Sequence, residues 1–349
     1  MYLYNLGKVS WQESQLIYHA LARMGREALA LLSPASPYVC AGYHQGLDQE
    51  VDLDFCQTRH IPIFRREVGG GTVYLDGNQL FFQLIIHPDN PVVPLSKDSF
   101  YRKFLGPVVN TYRRIGIQAE FKPVNDVIVN ARKISGTGVG EIGDCLVFVG
   151  NLILDFNYEM MSRVLKVPDE KFRDKVHKTM EENLTTIRRE LGETRASAWD
   201  EASLNNIMIE EFKPLLGSLT PRGIDSELQS KIDELGGWML SGDWLYRKGR
   251  KISDREVRIR AGIKVVERMH KATGGLIRTS YEDREGRFAN VSITGDFFCY
   301  PDEGVSRLES MLEGKSKDDV HQVLTQFYSA HEVETPGIGI DDWLVVFRD

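Results

Sequence analysis

Residues 123–141 read PVNDVIVNARKISGTGVGE. Asn125-Asp126 leads into the run Val127-Ile128-Val129, and Lys133 follows, with glycines at 136, 138 and 140. A short β-branched run bounded by polar residues reads as a strand, which puts Lys133 just beyond its end. Glycine lacks a Cβ, so the segment after Lys133 is expected as a loop whose backbone can approach a ligand closely. An ammonium beside a loop rich in N–H groups suits a phosphate: the amine gives a point charge and the amides give directed donors. A solvated turn would carry the same residues.

Residues 65–78, RREVGGGTVYLDGN, narrow the choice. Two arginines follow the apolar Ile61–Phe64, which reads as a strand, and three consecutive glycines come next. Each glycine loses much conformational freedom on folding, so three in a row call for a reason such as a ligand cradle. A flexible hairpin tip is the other reading. Asp76-Gly77-Asn78 reads as a plain turn.

Together the two stretches resemble the lipoate–protein ligase family, in the superfamily that also holds biotin–protein ligases and octanoyl transferases. The family pattern runs roughly RRxSGGGxVxHDxGN, then NDxxxxxRKxSG. Asn125-Asp126 and Arg132-Lys133-Ile134-Ser135-Gly136 match the second block. Gly42-Tyr43-His44-Gln45 looks like the family's GxxQ segment, and the likeness covers about the first 215 residues. Three positions depart from the pattern. Val68 stands where Ser or Thr is usual, Leu75 stands where His is usual, and the turn to Asn78 is one residue shorter.

The resemblance implies an ATP-dependent enzyme that activates lipoate or octanoate as an acyl-adenylate. It then passes the acyl group to a lysine on a lipoyl-carrier protein or domain. By the same resemblance Lys133 contacts the acyl carbonyl and the phosphate. Arg66, Gly69, Gly70, Gly71, Thr72, Val73, Tyr74, Asn78, Asn125, Ser135 and Gly136 bind ATP or lipoyl-AMP, and Asp126 faces Mg²⁺. The Gly69–Gly71 loop would form a wall of the acyl slot. A guanidinium at Arg66 can fork two phosphate oxygens, and a carboxylate beside a triphosphate suits Mg²⁺.

A chain of 349 residues is long for one domain, so two are expected. The net charge of −7 argues against general nucleic-acid binding, because a phosphate backbone would be repelled on average. The start MYLYNLGKVS has no charged region followed by an apolar one, so no secretory leader is expected. No apolar run approaches the roughly 18 residues of a membrane span. Cys40, Cys56, Cys145 and Cys299 are scattered; they suggest neither a zinc site nor a disulfide framework, and the cytoplasm is the expected compartment.

Apolar spacing over Ser10–Met24 predicts a helix with Ser10 and Glu13 as a capping box. Strands are expected at Tyr38–Ala41, Leu80–Ile86, Ile117–Phe121 and Leu146–Leu154. A helix capped by Ser99 should run to Gly116, with Pro107 kinking or splitting it. Helices are expected at Tyr158–Leu165, Lys171–Leu191 and Glu201–Phe212, and Thr185-Thr186-Ile187 resembles a short family segment that follows the catalytic sheet. Farther on, Gly275–Tyr281 and Phe288–Thr294 read as a hairpin, followed by helices at Pro301–Leu312 and Asp318–Tyr328, the second capped by Ser316. His270, His321 and His331 stand apart from one another. The fold expected is α+β: a large mixed or antiparallel sheet packed with helices in a catalytic domain over 1–217, a linker over 218–225, and a small α+β accessory domain over 226–349.

Two other chemistries share the superfamily. An octanoyl or lipoyl transferase works without ATP through a thiol nucleophile. Cys145 is the nearest thiol in sequence to Lys133, but it opens an apolar run and reads as a core strand residue. A biotin ligase would share Asn125-Asp126 and Lys133 but not the RREVGGG loop. A protein that keeps the fold and binds lipoate or nucleotide without catalysis is the remaining alternative.

Overall fold

The computed structural model describes residues 1–94, 96–123, 125–248, 263–330 and 333–348. In chain order the strands are β1 (Tyr2–Val9), β2 (Ala28–Pro34), β3 (Tyr38–Ala41), β4 (Ile63–Arg65), β5 (Val73–Leu75), β6 (Gln79–Ile86), β7 (Glu120–Lys122), β8 (Asp126–Val129), β9 (Arg132–Ser135), β10 (Thr137–Ile142), β11 (Cys145–Ile153), β12 (Thr220–Pro221), β13 (Ile263–Ala272), β14 (Gly275–Arg284) and β15 (Arg287–Gly295). Two compact units form. The first holds 1–40, 52–64 and 73–241; the second holds 41–51, 65–72 and 242–349.

The first unit is built on a six-stranded mixed sheet in the order β10-β11-β6-β2-β1-β12. β1 runs parallel to β2 and to β12, and the remaining pairs are antiparallel. β2 is buried at every residue. Helices cover both faces of the sheet, as the alternation along β6 shows. Phe82 meets Phe148 and Phe212, and Phe148 in turn meets Phe100 and Phe104 of the helix Lys97–Arg114. The next side chain, Gln83, points the opposite way and donates to the Ser14 carbonyl of the helix Glu13–Arg23. That helix starts with the expected reciprocal bonds between Ser10 and Glu13. Gly150 lies where β11 crosses Phe82: a Cβ there would sit 2.4 Å from the ring. The α+β fold with a large helix-packed mixed sheet is the one expected from the sequence.

Several local expectations change. The helix Lys97–Arg114 runs unbroken through Pro107. Proline removes the bond to the carbonyl four residues back, here that of Lys103 on the exposed face of the helix, where water can satisfy it. Ser96, not Ser99, is the cap, accepting from the Ser99 amide. The span Lys171–Leu191 is two helices, Glu170–Asn183 and Ile187–Leu191, because Leu184 to Thr186 is extended. The helix from Glu201 continues through Pro214 to Leu216. β12 then pairs with β1, and the helix Ser226–Met239 belongs to the same unit.

In the second unit β13, β14 and β15 form an antiparallel sheet. The expected hairpin turns at Glu285-Gly286, both at positive φ, as a two-residue turn of this hand requires. The helices Gly304–Leu312, Val320–Ala330 and Ile340–Phe347 enclose a core of Ile277, Tyr281, Phe297, Leu308, Phe327 and Trp343. Ser316 caps the entry to Val320–Ala330 through a short 3₁₀ turn, as expected. His270 is not isolated, since its Nε2 lies 2.7 Å from Asp342 Oδ1. His331 lies outside the described residues. No described helix is long and apolar enough to cross a membrane.

Candidate active site

Lys133 stands on a hairpin of the first unit. β8 and β9 are joined by Asn130 and Ala131, both at positive φ, the backbone that a tight right-twisting hairpin needs. The register shifts between Val127↔Ser135 and Ile128↔Lys133, so Ile134 is an extra residue on β9. Such a bulge re-aims the side chains on either side of it. Lys133 therefore lies past the end of β8, as expected, and within the next strand, β9. The segment expected as a glycine loop is also a strand: Gly138 and Gly140 belong to β10, which pairs with β11 along its whole length. The correction has a physical cause. β10 is held by antiparallel pairing with the next strand, β11, across the two-residue turn at Gly143-Asp144, and that pairing overrides the local weakness of glycine in a strand.

The hairpin gathers most of the expected catalytic block. Lys133 Nζ is 2.5 Å from Asp126 Oδ1, and both side chains are partly exposed. Asn125 does not project freely: its Nδ2 donates to Thr137 O at 2.5 Å, and Thr137 Oγ1 donates back to Asn125 O. Ser135 Oγ donates to Asn151 O, and the Gly136 amide donates to Asn151 Oδ1 at 2.9 Å. The Thr185 amide donates to Lys133 O at 2.8 Å. Thr185 Oγ1 and the Arg132 guanidinium both reach Glu190 Oε1. The Thr185-Thr186-Ile187 segment thus pins the backbone of Lys133. Val73 and Tyr74 lie on β5 of the same unit, and the Asn78 amide donates to Asp76 Oδ1 across the expected turn. Burial raises the Asp76 carboxyl and pushes the Tyr74 hydroxyl up to about 12.

Arg66, Gly69, Gly70, Gly71 and Thr72 fall in the second unit. Arg66 Nη2 donates to the carbonyls of Gly69 and Gly71, each at 2.8 Å, and so draws the triple-glycine loop around its own guanidinium. Gly70 takes φ +87° and its amide donates to Phe297 O. The space left by the missing side chains is not an open slot here. A Cβ on Gly69 would lie 2.7 Å from Phe297 O, and one on Gly70 would lie 3.1 Å from Phe298 Cζ. Thr72 Oγ1 donates to Gln45 Oε1, which also accepts from the Gly42 amide. Arg65 is fully buried. Its Nη1 donates to the carbonyls of Gly42, Tyr43 and Gln45, and its Nε donates to Leu245 O. The adjacent arginines therefore differ: Arg65 fixes the Gly42–Gln45 segment, and Arg66 shapes the glycine loop. His44 in that segment stacks on Phe297 at 5.2 Å. Burial, reinforced by Lys248, Arg247 and Arg65, pushes its pKa down to about 3 and keeps the ring neutral. Two departures from the family pattern pack as apolar residues, Val68 at 1% and Leu75 at 7% exposure.

Sequence reasoning missed Asn151 and Gln79, and it gave the Thr185 segment only as a likeness, without its bond to Lys133. Asn151 and Gln79 carried a signal: each is an amide beside or within an apolar strand run, and a buried amide needs a partner. All four cysteines are free and buried. Burial pushes the thiols of Cys56 and Cys299 up to about 11 and 12, and burial with Glu27 and Asp144 raises that of Cys145. Among the described residues no group of three or more His, Cys, Asp or Glu could hold a metal ion.

Known proteins are similar to this chain in sequence and in fold. Lipoate–protein ligase 1 of Staphylococcus aureus is 26% identical over 295 residues, covering 82% of this chain and 80% of that protein. Octanoyltransferase LipM of Kyrpidia tusciae is 24% identical over 235 residues, covering 61% and 84% respectively. A bipartite lipoate protein ligase of Thermoplasma acidophilum, solved in work on an archaeal lipoylation system with its E2 lipoyl domain, superposes with a TM-score of 0.63 at 26% identity, covering 72% of this chain and 98% of that one. P. falciparum LipL1, solved with lipoate, gives 0.70 at 16% identity over 93% of this chain and 94% of that one, a likeness of fold. The family described as the lipoyl protein ligase A/B catalytic domain matches residues 8–214, more than half of the chain. A match of that extent is membership: this chain belongs to the lipoyl protein ligase A/B catalytic-domain family, a family of enzymes.

Proposed function

We propose that the protein is an ATP-dependent lipoate–protein ligase. A carboxylate oxygen of lipoate, or of octanoate, attacks the α-phosphorus of ATP. The bond to pyrophosphate breaks, and the acyl-adenylate remains bound. A lysine ε-amine of a lipoyl carrier domain then attacks the acyl carbon, and AMP leaves. Charge grows on the phosphoryl and acyl oxygens in these steps, and a fixed ammonium stabilises it most where it develops. Lys133 is the group assigned to that role, on a backbone held by the Thr185 amide and the hairpin pairing. Arg66, the glycines 69–71, Thr72, Val73, Tyr74, Asn78, Asn125, Ser135 and Gly136 are assigned to the nucleotide and adenylate. Asp126 offers a single carboxylate, already shared with Lys133. One carboxylate suffices for Mg²⁺ when phosphates supply further oxygens, so the ion would arrive with the nucleotide. We assign catalysis to residues 1–217, a linking role to 218–225 and an accessory role to 226–349.

The observation that favours ATP chemistry is the state of the thiols. A transferase needs an accessible thiolate. All four cysteines here are buried, and Cys145 has its pKa raised rather than lowered. Free thiols also fit a reducing cytoplasm. The octanoyltransferase relative gives the second reading its support. Pyrophosphate release with ATP–Mg²⁺, with and without lipoate, tests the choice. Lipoate-dependent release supports the ligase. ATP-free acyl transfer from an octanoyl-carrier protein that is lost in Cys145→Ser would replace it with the transferase. Binding of ATP and lipoate by calorimetry with no release would leave an inactive binding protein.

A further inference from the structure

An amide relay in the first unit links the strand carrying Val73 and Tyr74 to the strand carrying Lys133. Gln79 Nε2 donates to Tyr74 O at 3.1 Å, Asn151 Nδ2 donates to Gln79 Oε1 at 2.8 Å, and Asn151 Oδ1 accepts from the Gly136 amide at 2.9 Å. Asn151 also closes the β9 side through its backbone, accepting from Ser135 Oγ and donating to Gly136 O. Gln79 is 1% exposed, so its two bonds are made away from water. A primary amide can accept at one end and donate at the other, and two in series carry one fixed polarity between β5 and Gly136, the residue that follows β9. Gly136 completes the geometry. A Cβ there would lie 3.7 Å from Lys133 Cε and 3.8 Å from Asn151 Oδ1, so the relay ends beside the lysine side chain.

We propose that Gln79 and Asn151 are positioning residues that hold β5 and the Lys133 strand in one register. Neither is assigned a contact with substrate, and the proposal rests on the ligase reading above. A relay in series has a signature. Breaking either link uncouples the two ends, so the second break adds nothing. Independent packing residues would instead multiply their effects.

The test uses the full chain and three variants, Gln79→Met, Asn151→Leu and the double variant. Lipoate-dependent pyrophosphate release is measured while ATP and lipoate are titrated separately. The expected result is an increase of about ten-fold in KM for ATP in each single variant, the scale of one or two buried hydrogen bonds. The double variant should be no worse than either single one, with KM for lipoate changed much less. Multiplicative losses, or a fall in melting temperature with unchanged KM for ATP, would overturn the relay. A second readout needs no activity. Hydrogen exchange of residues 132–142 should quicken in Gln79→Met, although Gln79 touches none of them in the relay except through Asn151. Unchanged exchange there overturns the proposal even if the native chain releases no pyrophosphate, and quickened exchange without pyrophosphate release would sink the ligase reading alone.

Discussion

Replacing Lys133 by methionine keeps most of the length of the side chain and removes its charge. The structure separates the consequences for stability from those for chemistry. The partner, Asp126 Oδ1, is 2.5 Å away, but the two side chains are 37% and 29% exposed. Ion pairs this wet contribute about 0–1 kcal/mol net, because water screens the charges. The backbone bonds at Lys133, to Thr185 and across to Ile128, do not involve the ammonium. Lys133→Met should therefore lose about 1 kcal/mol or less, a shift of a few degrees at most for a chain of this size. A preorganised charge at a developing oxyanion is a different matter: removing one such donor slows reactions by about 10²–10³-fold, or about 3–4 kcal/mol of barrier. Single-turnover formation of acyl-adenylate, measured beside thermal unfolding, reads both quantities on one sample. A folded Lys133→Met protein that makes adenylate within ten-fold of the native rate would refute the assignment of Lys133. A drop of ten degrees or more would show that the ammonium is structural.

Other perturbations follow from local geometry. In Gly42→Ala the new Cβ would lie 1.9 Å from the Gly70 carbonyl oxygen; backbone cannot swing aside as a side chain can, so we expect about 1–3 kcal/mol of destabilisation in urea unfolding and weaker ATP binding by calorimetry. Ala131 sits at φ +65°, where an L side chain strains the turn, so Ala131→Gly should raise stability by about 1 kcal/mol on a denaturant curve with little change in its slope. His44 titrates near 3 in the folded protein against about 6.5 unfolded, so the unfolded chain binds the extra proton first as pH falls and stability is lost below pH 6.5. Between pH 7 and pH 5 that loss is about 2 kcal/mol, and it should be missing from His44→Leu when melting temperatures are followed across that range.

Much of the segment around Lys133 was legible because its signals are local. Val127–Val129 announces a strand by its β-branched residues, and Ser10 with Glu13 announces a helix start by a capping box that forms as read. The parts that escaped are decided at a distance. β2 reads ALALLSP, a run of good helix formers with no polar alternation. It becomes a strand because β1 and β6 flank it and helices cover both faces. β10 escaped for another reason: its glycines signal a loop, and the hairpin it makes with β11, its neighbour in sequence, turns them into a strand. No window of sequence groups residues 41–51 and 65–72 with 242–349. Arg65 is one of the residues that join these segments, with bonds that reach Gly42, Tyr43, Gln45 and Leu245 at once.

The two adjacent arginines show how far a motif can be read from sequence. As letters, Arg65 and Arg66 are one feature, a doubled cation before three glycines. The structure divides the labour by burial. Arg65, fully enclosed, is surrounded by carbonyl oxygens, which are the acceptors that let a guanidinium stay charged without water. Such a residue carries no free charge to a substrate, and its loss would act on the loop rather than on the phosphate. Arg66 also bonds carbonyls, but those belong to the very loop that the ligase reading lays along the nucleotide. A phosphate competing for the Arg66 guanidinium would therefore loosen Gly69 and Gly71 as it bound. On the ligase reading, nucleotide binding and the shape of the glycine loop would be one equilibrium, and three glycines would let the backbone shift at small steric cost.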